Sequence, residues 1–143
     1  MIVIPMEVII MESLKVLIVE DHLLTAEKIQ DYFDMVEDFK VIGIAEGETE
    51  ALEILKREKP SIAIVDISLK EGNGITLIEK IFGRQHLDYK PCVVVVTQTQ
   101  TQELHEKLYA AGVNYIFGKY EPQFSYYSII KYLRSIYGDL PRP

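Results

Sequence analysis

Short apolar runs alternate with amphipathic stretches from about residue 14 to residue 137. "KVLIV" (15–19) is continuously apolar and rich in β-branched residues, which predicts a strand buried on both faces. Ala26, Ile29, Phe33 and Val36 then recur at helical spacing. "KVIGIAE" (40–46) predicts a second strand, and Ala51, Leu52 and Leu55 mark a second helix that stops near Lys59-Pro60. "IAIVD" (62–66) is the third strand, followed by a helix carrying Ile75, Ile78 and Phe82 and by a polar linker, "GRQHLDYK". "CVVVV" (92–96) is the fourth strand. Leu104, Leu108 and Ala111 form the next helical stripe, ended by Gly112. "NYIF" (114–117) is the fifth strand and "SYYSIIKYLRSIY" the last helix. Five strands alternating with five helices predict an α/β fold, a parallel sheet with helices on both faces.

Composition adds limits. The 143 residues suit one domain with a real core, and 48% hydrophobic with 26% charged residues is a soluble globular profile. A net charge of -7 argues against sequence-independent nucleic-acid binding, and no direct nucleic-acid partner is expected. The single Cys92 excludes an internal disulfide, fits a cytoplasmic setting and reads as a small buried hydrophobe. "MIVIPMEVIIME" is apolar but interrupted by Pro5 and Glu7, and is shorter than the ~20 residues that span a bilayer. Residues 1–13 are read as an extension, tail or extra edge strand, and no membrane association is expected. Residues 139–143 are read as a C-terminal tail.

The chemistry gathers at strand ends. Glu20 and Asp21 follow the first strand and Asp66 closes the third. In open parallel sheets, ligands bind at the carboxyl ends of strands near the point where strand order reverses. Three carboxylates converging there cannot all stay ionised cheaply without a cation. A hard divalent ion such as Mg²⁺ is the natural counter-charge. Thr97 after strand four and Lys119 after strand five sit at matching places. A carboxylate facing a divalent ion, an ammonium and a hydroxyl can accept a phosphoryl group. Taken singly, each has a plainer role: Glu20 and Asp21 as a solvated turn, Asp66 or Thr97 as a helix cap, Lys119 as a surface lysine. His22 reads as a loop residue beside the pocket, and His86 and His105 as surface residues.

"VEDH", "IVDISLKEGNG", "VVT" and "AGVNYIFGK", in this order at strand ends, resemble the receiver domain of two-component response regulators over roughly residues 13 to 138. The resemblance implies a receiver domain over 14–138 with flavodoxin-like strand order 2-1-3-4-5. It implies that Asp66 accepts phosphate from a histidine kinase or histidine phosphotransfer protein. Asp21 would ligate Mg²⁺ directly, Glu20 through water or in an outer shell, and the Ser68 backbone carbonyl would complete the set. Thr97 and Lys119 would assist, and Ser68 and Thr99 would set the lifetime of the phosphate. The chain would assist its own phosphorylation and dephosphorylation without being an enzyme in the ordinary sense. "GDLPRP" at the end is read as a frayed end or the stub of a linker, and without an output domain the resemblance implies a phosphorelay intermediate or a stand-alone regulator acting on a downstream protein partner.

Some positions depart from the family's pattern. Lys70 stands where a proline is usual, and Gln98 where a small residue is usual. Tyr120, not a cis-proline, follows Lys119; a cis bond without proline costs about 3 kcal/mol, so a trans or rearranged loop is expected. Ile116 holds the place of the switch aromatic, with Tyr115 one step earlier and on the other side of the strand. Such departures motivate a second reading, a receiver-like interaction module that works without phosphate. A third reading, an aspartyl-phosphate phosphatase, needs an acid two residues after Asp66, where Ser68 stands.

Of the nine tyrosines, Tyr109, Tyr115, Tyr120, Tyr126, Tyr127, Tyr132 and Tyr137 fall in the last third. Tyrosine is enriched at interfaces. Tyr109, Tyr127 and Tyr132 are therefore expected on a partner or homodimer surface at the fourth helix, fifth strand and fifth helix. The alternative is that Tyr126, Ile129, Ile130 and Leu133 simply form the core side of the last helix.

Overall fold

The computed structural model describes residues 13–69, 72–98 and 101–138. Most of the N-terminal extension, the C-terminal tail, Lys70 and Thr99 lie outside the described residues. Five strands, β1 (Leu14–Val19), β2 (Phe39–Ala45), β3 (Ile62–Asp66), β4 (Cys92–Thr97) and β5 (Tyr115–Gly118), form one sheet. Every pairing is parallel and the order is β2-β1-β3-β4-β5, as expected. The helices are α1 (Leu23–Asp34), α2 (Glu48–Glu58), α3 (Gly74–Phe82), α4 (Gln102–Ala111) and α5 (Tyr126–Tyr137).

Alternation along the strands divides the core into two layers. Leu17, Val19, Ala63, Val65, Val93 and Val95 face one side, packed with Ala51 and Leu55 of α2, Leu77 and Ile81 of α3, and Leu108 of α4. Val16, Ile18, Ile62, Ile64 and Val94 face the other, against Ala26, Ile29 and Phe33 of α1 and Ile129, Ile130 and Leu133 of α5. β3 and β4 are buried at every position, which accounts for their unbroken apolar spelling.

Local chemistry sets the ends of the helices. The Asn73 side chain accepts from the Thr76 N–H at 2.7 Å, and Thr101 accepts from the Leu104 N–H at 3.2 Å. Ser125 and Ser128 cap α5 reciprocally. Gly112 closes α4 at φ 124°, where a Cβ would also meet the Phe82 ring at 2.8 Å. The second strand begins at Phe39, one residue before the expected start, because Phe39 pairs with Leu14. The fifth extends to Gly118, which pairs with Thr97.

Candidate functional site

The strand order reverses between β1 and β3, so their carboxyl ends open side by side. Glu20 still pairs its N–H with the Ala45 carbonyl at 2.9 Å before the chain turns into α1. Its side chain is buried, as are those of Asp66 and Thr97. Lys119 reaches this place from the end of β5. Its Nζ lies 3.2 Å from Glu20 Oε1 and 3.3 Å from Asp66 Oδ2, donating to both. The Lys119 N–H donates to the Thr97 carbonyl at 2.8 Å, which fixes the lysine to the end of β4. Among the described residues no peptide bond is cis, so Lys119 is placed over the carboxylates with Tyr120 on a trans bond.

Asp66 uses its other oxygen locally: Oδ1 accepts from the Ser68 N–H at 3.1 Å. Glu20 Oε2 accepts from the His22 N–H at 3.3 Å. Asp21 is the exception. Its side chain is only 6% exposed, and its fully covered Oδ1 has no hydrogen-bond partner among the described residues. A buried carboxylate oxygen without a donor is costly. Burial, with a hydrogen bond and charge repulsion from Asp66, pushes the Glu20 pKa up to about 7. Burial works to lower the Lys119 pKa, but Asp66 and Glu20 outweigh it and raise the pKa. One ligand atom from each of Glu20, Asp21, His22 and Asp66 lies within 4.8 Å of the others. The Asp21 oxygen without a hydrogen bond and the excess, among the described residues, of carboxylates over the Lys119 ammonium fit a divalent cation.

Ile116 and Tyr115 part to opposite layers. Ile116 is buried in the α2–α3–α4 layer, opposite Val95. Tyr115 is partly exposed and stacks on Tyr132, ring centroids 4.5 Å apart, and on Phe117 at 4.7 Å. Tyr109 of α4 reaches over β5, where its hydroxyl accepts the Ile116 N–H at 3.2 Å. Tyr132 of α5 donates its hydroxyl to the Asn114 carbonyl at 3.3 Å. Tyr109 and Tyr127 are partly exposed, and Tyr132 less so. Ile129, Ile130 and Leu133 are core residues, with Tyr126 partly buried against them. The last helix therefore has a core side and a tyrosine-bearing side.

Two ion pairs had no signal in the sequence. Arg134 of α5 grips Asp38 just before β2, and Lys80 of α3 meets the buried Glu48 at 2.6 Å. Their partners are far apart in the chain and at no distinctive spacing. His22, read from the sequence as a loop residue beside the pocket, stands just before α1 with Nδ1 3.2 Å from Asp21 Oδ1.

Comparison with known proteins agrees with this geometry. The chain is 29% identical over 102 residues to a protein described as a probable C4-dicarboxylate response regulator, DctR, of Priestia megaterium. That match covers 71% of this chain and 43% of the relative, so the chain spans less than half the length of that curated relative. Among solved structures it resembles the response regulator domain of Thermotoga maritima CheB. The TM-score is 0.75 at 21% identity, covering 90% of this chain and 99% of that one. It also resembles the BeF3-activated N-terminal receiver domain of Klebsiella pneumoniae RstA, with TM-score 0.72 at 24% identity, covering 85% and 96%. These likenesses establish the fold. No helix among the described residues is long and apolar enough to cross a membrane. The response regulator receiver domain model matches residues 16–126, and the chain belongs to that family.

Proposed function

We propose that Asp66 is the phosphoacceptor of a Mg²⁺-dependent, cytoplasmic two-component switch formed by residues 14–138. The observation that carries this reading is the Lys119 ammonium bridging Asp66 and Glu20 at the end of the sheet, beside an Asp21 oxygen that has no hydrogen bond among the described residues. A carboxylate oxygen of Asp66 attacks phosphorus, a new O–P bond forms, and the P–N bond of a phosphohistidine donor breaks. The donor imidazole nitrogen keeps the electron pair and takes up a proton. The donor is a histidine kinase or a histidine phosphotransfer protein. Asp21, Asp66 and the Ser68 carbonyl would hold Mg²⁺, with Glu20 beside them, and the ion would supply charge to offset that on the phosphoryl oxygens. Lys119 and the Thr97 hydroxyl hold the oxygens of phospho-Asp66.

The output is a change at the α4–β5–α5 face, which carries Tyr109, Tyr115, Tyr127 and Tyr132, with Tyr109 bonded to the Ile116 N–H. Phosphorylation shifts a pre-existing equilibrium there and alters contact with a downstream protein or a second copy of the chain. The buried Ile116 in place of an aromatic supports a second reading, an interaction module that works without phosphate.

The test is incubation with Mg²⁺ and acetyl phosphate, followed by intact mass, with Asp66→Asn alongside. A gain of one phosphoryl group in the native chain and none in the variant is expected. No gain in the native chain, with Mg²⁺ binding intact, would favour the second reading.

A further inference from the structure

His22 stands immediately before α1, the position where a short polar side chain usually caps the first helical amides. Its backbone is suitably extended, yet the imidazole makes no capping hydrogen bond. It turns instead toward the carboxylates while remaining 71% exposed. Nδ1 lies 3.2 Å from Asp21 Oδ1 and 3.6 Å from Glu20 Oε2. The first separation is short enough for a hydrogen bond, but Asp21 Oδ1 has no hydrogen-bond partner among the described residues. The two atoms are close without donor alignment.

That spacing has a simple geometric meaning. Ligand atoms about 2.0–2.2 Å from one metal ion stand about 3.0–3.6 Å apart in neighbouring octahedral or tetrahedral positions. Both His22 separations fall in this range. Lys119 does not compete for the place, since it donates to Glu20 Oε1 and Asp66 Oδ2, whereas His22 faces Glu20 Oε2 and Asp21 Oδ1. Chemistry then sets the preference: Mg²⁺ favours oxygen ligands and retained water, while imidazole nitrogen suits Co²⁺, Ni²⁺ and Zn²⁺.

We propose that His22 Nδ1 joins Asp21, Asp66 and Glu20 as a nitrogen ligand, so that the site takes Co²⁺-, Ni²⁺- or Zn²⁺-type ions more tightly than its carboxylates alone would hold them. The proposal rests on the reading of this cluster as the cation site. The exposed imidazole moves in at little cost to the fold. Which ion occupies the site, and with it the ion beside Asp66, then follows the supply of divalent metals.

The test uses the metal-free full chain at one pH and ionic strength. Mg²⁺ and Co²⁺ are titrated separately by calorimetry, and the visible absorption of the Co²⁺ complex is recorded. His22→Asn, which keeps a helix-capping residue, and Asp21→Asn are run in parallel. His22→Asn is expected to weaken Co²⁺ binding by about tenfold or more and to change the Co²⁺ spectrum, with Mg²⁺ affinity held within about twofold. Asp21→Asn is expected to weaken both ions. Unchanged Co²⁺ affinity and spectrum in His22→Asn, with Mg²⁺ still bound, would overturn the nitrogen ligand and leave the cation site standing. Failure of the native chain to bind either ion would overturn both.

Discussion

Arg134, near the end of α5, holds the carboxylate of Asp38 with two parallel hydrogen bonds, Nε to Oδ2 at 2.7 Å and Nη2 to Oδ1 at 3.0 Å. The Asp38 side chain is fully out of solvent, and a further Arg134 N–H donates to the Tyr127 hydroxyl at 3.2 Å. This fork ties the last helix to the start of β2. Breaking a buried pair from one side leaves an uncompensated charge, so Asp38→Ala should destabilise the fold by about 3 kcal/mol. Asp38→Ala with Arg134→Met should recover part of that loss. Urea unfolding of the two singles and the double measures the coupling; strict additivity would show that the fork contributes nothing specific.

Glu20 makes the metal-free protein pH-sensitive. Its carboxyl titrates near 7 in the fold against 4.5 ordinarily, so between these values the folded state holds a proton that the unfolded chain has released. Stability from this group is therefore fully present below about pH 4.5 and is lost as pH rises through 7. Lys119, its pKa raised, stays charged throughout. Urea midpoints in EDTA should fall from pH 5.5 to pH 8, and Glu20→Gln should flatten the slope. Mg²⁺ should raise the midpoint more at pH 8 than at pH 5.5, since ion and proton compete for the same carboxyl. An equal Mg²⁺ effect at both pH values would separate Glu20 from the cation.

Gly74 opens α3 directly behind the proposed phosphoacceptor. A Cβ there would stand 2.5 Å from the Asp66 carbonyl oxygen and 2.6 Å from Ile67 Cα, both backbone atoms that cannot swing aside. Its N–H also donates to the Ile67 carbonyl at 2.9 Å. Gly74→Ala should cost about 1–3 kcal/mol and slow acetyl-phosphate labelling of Asp66 in the fraction that still folds. A thermal melt paired with a labelling time course checks both; normal labelling with normal stability would show that the loop yields freely.

The open side of β5 is closed by two hydroxyls. Tyr109 accepts from the Ile116 N–H and Tyr132 donates to the Asn114 carbonyl. Tyr109→Phe should lower stability by about 1 kcal/mol and shift the Ile116 amide resonance, while Asp66 labelling persists. Tyr109→Ala with Tyr127→Ala should weaken phosphorylation-dependent self-association or partner binding, read by sedimentation velocity. Unaltered association in that double variant would remove these tyrosines from the output surface.

Much of this architecture is legible in the chain because its cause is local. Five apolar runs with polar punctuation spell strands, and alternation divides Val93 and Val95 from Val94 without any knowledge of the partners. Glu20, Asp21, Asp66, Thr97 and Lys119 stand out because each interrupts or follows such a run. The Asp38–Arg134 fork depends instead on how α5 packs beside α1, with the partners 96 positions apart. The Tyr109–Ile116 bond requires the reach of one side chain over a neighbouring strand. The direction of the His22 ring depends on χ angles that no spacing encodes. Strand ends are written in sequence pattern; contacts across elements are written in packing.

The position of Lys119 has a dynamic consequence. Asp66 rides on β3, flanked on both sides by paired strands, the setting in which amides are generally the last to open. Lys119 follows β5, four residues long and hydrogen-bonded to the sheet along one side only. The acidic cluster thus follows the central strands, while its ammonium follows an edge strand, where opening is expected at lower free energy. A detachment of that edge would withdraw the counter-charge and leave the carboxylates at their strongest attraction for a cation.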